Sequence, residues 1–188
     1  NDGTLSSGAS WNASGRVGSA ISFNGTDGYV AVPDDSSLTL ATDFSVSMWF
    51  KRTPNGLNQD LYSKNGPQVA GALTLGISPA NKLYAVVQLQ SVALTATTPI
   101  TDTNWHHVVL TRTPGNVWTI YLDGAPDGTA TNAANPTINN KNLNFGGEFP
   151  PTTHPPVEWP YKGSIDEVII YNRSLSSTDV DALYKSYP

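Results

Sequence analysis

The chain has no cysteine among its 188 residues, which excludes a disulfide framework and thiolate metal sites. Charge is also scarce. Only 13% of the residues are charged, the formal net charge is −5, and no basic run occurs, which argues against nucleic acid as a partner. No apolar stretch approaches the roughly 18 residues of a membrane-spanning helix. Glutamate occurs only at Glu148, Glu158 and Glu167. Glycoside hydrolysis needs two carboxyls about 5–9.5 Å apart across a cleft, and no strand-like segment carries acids at i and i+2. Only Glu148 and Glu158, flanking one loop, could meet. The nucleophile turn Gly-x-Ser-x-Gly is absent. The chain therefore reads as a non-enzyme.

What it does contain is alternation. Short apolar/polar runs separated by Gly, Pro, Asn and Asp are the pattern of a β-sandwich or barrel. The runs are "SAISFNG", "GYVAVPD", "DFSVSMWFKR", "DLYSKNG", "ALTLGIS", "KLYAVVQLQ", "VALTATT", "WHHVVLTRT", "VWTIYLDG", "LNFGG" and "GSIDEVIIYN". Asn-Gly at 24–25 and 65–66 and Asp-Gly at 27–28, 123–124 and 127–128 supply hairpin turns. "DGAPDG" at 123–128 lacks the spacing and terminal Glu of an EF-hand and reads as a turn. One helix is expected over "LSSTDVDALYKSY", with Ser176 or Ser177 as its N-cap. The segment 148–163 holds five prolines. It cannot be a central strand, because proline donates no ladder hydrogen bond. The expected fold is all-β: one two-sheet antiparallel jelly-roll sandwich over 1–188 with a short C-terminal helix. The non-Met start and the Pro end suggest a module excised from a larger protein.

The order of these elements resembles the bacterial laminin-G-like (LamG) modules of the concanavalin A-like jelly rolls. "GRVGSAISFNGTDGYVAVPDDSSL" is similar to the family's opening strands and "FSVSMWFK" to its central strand. "NWHHVVLTR" and "WTIYLDG" resemble its Trp-His strand and Tyr-x-Asp-Gly hairpin, and "GSIDEVIIYNRSLSSTDVDALY" its closing strand and helix. The family usually carries a further strand ahead of "NDGTL", which is missing here. The resemblance implies a structural calcium ion (Ca2+) where the first strands meet the closing strand. Calcium takes six to eight hard oxygens. Asn24 and Asp27 in "FNGTDG", Asp166 in the closing strand and Asp2 near the start are the candidate ligands. The alternative is that Asp27 is a turn residue and Asp166 is satisfied by backbone N–H groups.

Without an active site, the expected role is non-catalytic carbohydrate recognition in a secreted or cell-surface protein, beside other domains of the same polypeptide. A structural or adhesin spacer that mediates protein interaction is the alternative, and a hydrolase of the same fold ranks last. A sugar is held by an aromatic face with polar side chains around it. Trp159 and Tyr161 end the Pro-rich loop, with His154 and Glu158 nearby, and stiff backbone lowers the ordering cost of gripping a ligand. Arg52 and Tyr62 bracket a second candidate rim. Trp49, Trp105 and Trp118 read as core, and Trp11 as packing on an edge. His106 and His107 read as structural, one facing the core and the other solvent, since His154 is too remote to complete a zinc site.

Overall fold

The computed structural model describes the chain except residues 41–42, 65–71, 88–90, 137–139 and 148–158 and the side chains of 91–92. Alternation becomes two seven-stranded antiparallel sheets. The first contains β1 (Thr4–Leu5), β4 (Val30–Val32), β13 (Leu143–Phe145), β6 (Gln59–Lys64), β7 (Leu73–Ile77), β8 (Lys82–Val87) and β9 (Ser91–Pro99), in that spatial order. The second runs β12 (Ala125–Thr131), β11 (Val117–Leu122), β10 (His106–Arg112), β5 (Phe44–Arg52), β14 (Lys162–Tyr171), β3 (Ala20–Asn24) and β2 (Ala9–Asn12). The helix α1 (Ser177–Ser186) follows β14.

Period two decides what each strand buries. In β5, Phe44, Val46, Met48 and Phe50 enter the core between the sheets, where they join Leu73, Leu75 and Ile77 of β7 and Val108 and Leu110 of β10. Phe44 meets Trp118 of β11 edge-on at 5.7 Å, a favoured aromatic geometry. The other parity of β5 faces the opposite way, where Ser45, Ser47 and Trp49 are covered as well and only Lys51 is exposed. Trp49 stacks on Tyr184 of α1 at 5.5 Å and lies 5.2 Å from the His107 ring. A small cluster of Val109, Tyr121, Leu175 and Val180 seats the helix on this outer face. Ser176 caps α1 by accepting from Asp179 N, while the Asp179 carboxylate accepts from Ser176 N. This reciprocal pair satisfies two orphan donors.

Three strands are not among the alternating runs: the short β1 and β2, and β12. The last begins directly after the Asp123–Gly124 turn, whose two residues both have positive φ, so "DGAPDG" is a turn plus the start of an edge strand. Pro126 is tolerated there because an edge strand has one side without a ladder partner. A β-bulge in β12 between the partners of Ile120 and Tyr121 sends Asp127 across to the other sheet. Its Oδ1 accepts from Thr97 Oγ1 and Thr98 Oγ1, each at 2.6 Å, and from Thr98 N at 3.1 Å. The β9 and β12 edges are thereby stapled together, and this lateral end of the sandwich is shut.

Candidate functional site

Asn24 and Asp27 sit in the turn that carries the chain from β3 to β4. The Asn24 Oδ1 accepts from the backbone N–H groups of Thr26, Asp27 and Gly28 at 2.9, 3.1 and 3.1 Å, and its Nδ2 donates to Asp27 Oδ1 at 2.6 Å. Asp27 Oδ2 accepts from Ser7 Oγ at 3.3 Å. The amide oxygen is saturated with donors and has no lone pair left for a cation.

Asp166 lies four residues along β14 from Lys162, the partner of Asn24, or roughly 13 Å away at ~3.3 Å per residue. The residue is 8% exposed. Oδ2 accepts from the N–H groups of Arg16 and Val17 at 2.8 and 3.1 Å, and Oδ1 from Glu167 N at 2.9 Å. This buried charge is held by the backbone of the 13–19 loop. Gly15 permits the approach, since a Cβ there would stand 2.7 Å from Asp166 Oδ2. Asp2 is exposed and precedes β1, whose Thr4 stands opposite Ala31, far along the strand from the 24–28 turn. The four candidate ligands therefore do not form one donor set, and the residues do not fit the shared calcium that the resemblance implies. Among the described residues, no group of three or more His, Asp or Glu is placed to hold a metal.

The proposed sugar rims are also redrawn. Arg52 is 1% exposed. It keeps the inward parity of Phe50, and donates from Nε to Gln59 Oε1 and from Nη1 to Asn81 Oδ1 and the Ile100 carbonyl, at 3.1–3.2 Å. Burial lowers the pKa of its guanidinium. Tyr62 is buried against Phe145, and Tyr161 is buried edge-on to Phe23 at 5.9 Å. Burial drives both phenols well above the ordinary tyrosine range. Arg52, Tyr62 and Tyr161 are thus interior residues, not rim contacts. Trp159 is half-buried, adopts a left-handed φ of 49° and accepts Asp60 N through its carbonyl. His154 and Glu158 lie outside the described residues.

Beside Trp159, Tyr84 donates to Asp60 Oδ1 at 2.8 Å. The bond crosses Gly76 of β7, where a Cβ would come within 2.5 Å of Asp60 Oδ1. His106 sits between two acids, with Nδ1 2.8 Å from Asp123 Oδ2 and Nε2 3.1 Å from Asp102 Oδ1. The hydrogen bond to Asp123, more than any other contact, raises its pKa. With both nitrogens engaged, the ring is a clamp. His107 Nε2 is 2.9 Å from Ser47 Oγ, and burial pushes this ring down to about 4. Neither histidine faces open solvent.

The sequence reading placed Trp11 on an edge but not in water. It stands on edge strand β2, opposite Ile21, and is 68% exposed. Beside it a cleft of about 290 Å³ opens between the sheets at the lateral end opposite the Asp127 staple. Leu5, Ile21, Val30, Val32, Ile165 and Val168 supply its apolar walls, with Glu167 at the side. A β-bulge shapes this region. β14 advances from Asp166 to Ile169 while β5 retreats only from Trp49 to Ser47, and Glu167 takes a left-handed φ of 50°.

The chain belongs to the concanavalin A-like lectin/glucanases superfamily, whose laminin-G family model matches residues 24–181. No curated protein matches it. Among solved structures, the binding domain of Paraclostridial Mosquitocidal Protein 1 is similar with a TM-score of 0.77 at 18% identity, over 99% of this chain and 47% of that one. Domain 4 of AbnA, an extracellular arabinanase from Geobacillus stearothermophilus, solved in complex with arabinotriose, gives 0.74 at 20% identity, over 98% and 88%. A botulinum neurotoxin serotype D/C binding domain gives 0.77 at 16% identity, over 100% and 47%. The chain spans about half the length of the two toxin structures. At these identities the likeness establishes the fold.

Proposed function

We propose that this module is a non-catalytic carbohydrate-binding unit of a secreted or cell-surface protein. The observation that carries the reading is Trp11. An indole buries 150–250 Å² when covered, so leaving two thirds of one in water forgoes roughly 3 kcal/mol at ~25 cal/mol per Å². An exposed flat aromatic face on a rigid strand is what the C–H face of a sugar ring stacks upon. Half-buried Trp159, held on strained backbone, is the second aromatic of this reading, and strain of that kind concentrates at functional positions. The arabinotriose complex of the AbnA domain supports a glycan as the ligand class and makes arabinan the first to try.

The test is retention on polysaccharide affinity gels followed by titration calorimetry. Trp11→Ala is expected to weaken binding about tenfold or more, a loss of ~1.4 kcal/mol or greater, with an unchanged melting temperature because the side chain is mostly in solvent. Trp159→Ala is expected to weaken binding and stability together. Absence of retention on every glycan, or full retention by Trp11→Ala, rejects the reading.

A further inference from the structure

The second sheet is complete on one side of β14 and incomplete on the other. β5 pairs with β14 from Gly163 to Tyr171, whereas β3 pairs with it only from Lys162 to Ile165. Past Ile165, no described strand lies on the β3 side. The β2–β3 hairpin ends at the pair Asn12 and Ala20, and its 13–19 loop is held at Asp166. Residues 168–171 therefore form a central strand with one bare edge. Such an edge presents backbone N–H and C=O groups as a template for another chain.

The bare edge borders the apolar cleft. Val168 lines it and is 37% exposed, and Val17 on the nearby loop is 39% exposed. Ile170 is paired with Val46 and packs against the core, so the inward parity of this stretch is apolar. At the other lateral end the sheet edges are bound together through Asp127, so the opening is specific to this side.

We propose that the gap receives an extended peptide strand from a partner polypeptide. The strand pairs with residues 168–171 and places alternate apolar side chains into the cleft. Backbone chemistry selects this occupant: a sugar or an acyl chain would fill the cleft but leave the ladder unmatched, whereas a peptide satisfies both. Charge refines it. Glu167 stands at the cleft, where its only side-chain partner among the described residues is the neutral Tyr187 hydroxyl, and the chain carries a net charge of −5, so the partner strand presents a lysine or arginine near Glu167. Added strands of this kind take affinity from main-chain hydrogen bonds and specificity from pockets for alternate side chains.

The experiment pans a displayed octapeptide library against the full chain and follows the winners by calorimetry and amide hydrogen exchange. Enrichment of sequences with alternating apolar positions and one basic residue is expected, together with slowed exchange at residues 168–171. Val168→Arg, at a partly exposed position, should weaken binding about tenfold or more, and N-methylation of the peptide at ladder positions should abolish it. Failure to enrich such peptides, binding that leaves 168–171 exchange unchanged, or equal binding of the N-methylated peptide each overturns the proposal. So does protection of 168–171 by glycan alone or by concentration-dependent self-association. Glycan affinity measured with Trp11→Ala is a separate readout, so either proposal can fail without the other.

Discussion

Asp166 shows how a strand can carry a carboxylate inside a protein. Three backbone N–H groups converge on it, and charge-assisted bonds of this kind are roughly twice as strong as neutral ones. Removing the acceptor would orphan those donors at a cost of about 1–3 kcal/mol each where they stay buried. Asp166→Ala is therefore expected to lower stability by about 3 kcal/mol in denaturant titration, whereas a chelator should leave the melt of the natural chain unchanged. A melt that drops with chelator and recovers with calcium would show that a cation, not the loop backbone, holds this charge. The two histidines act in opposite senses with pH. His107 is depressed to about 4 against ~6.5 in an unfolded chain, so its contribution is present above ~6.5 and lost as pH falls toward 4. The span corresponds to about 3 kcal/mol by proton linkage. His106, raised by Asp123, contributes below ~6.5 and loses that contribution as pH rises through its elevated folded value. Stability of the natural chain should fall steeply between pH 6.5 and 4.5, and His107→Gln should flatten that slope. An equal slope in both proteins would remove His107 as the cause.

At the scale of elements, the edges matter most. Asp127 joins β12 to β9 through a carboxylate that a bulge redirects. Asp127→Ala should cost about 2 kcal/mol for the lost hydrogen bonds and speed amide exchange at Thr97 and Thr98, with β14 unaffected. Uniform acceleration across both sheets would mean that the staple is not a local device. Much of this architecture was legible in advance. Eleven of the fourteen described strands and the capped helix follow from alternation, turn dipeptides and the serine N-cap signal. β1 and β2 were missed because two to four residues are too few to display a period. The parity of β5 places Arg52 with Phe50, so its burial is legible in the alternation although it lies at the start of the polar 51–66 segment. Past Asp166 the alternation rule fails for a physical reason: the bulge adds one residue, and Ile169 takes the face that alternation would give to Val168 or Ile170. The consecutive apolar run Val168, Ile169, Ile170 was the available sign. Trp11 could not be placed in water from sequence, because exposure on an edge strand depends on what the opposite sheet leaves open.

For the whole molecule, the decisive arrangement is positional. The last strand of the chain, β14, is an interior member of its sheet, flanked by β5 and β3. Until residues 162–171 exist, the two halves of that sheet have nothing to join them. Pairing between distant segments is slow, because the loop-closing entropy must be met before the contacts reward it. A ribosome making this domain would therefore release nearly all of it before the fold could close.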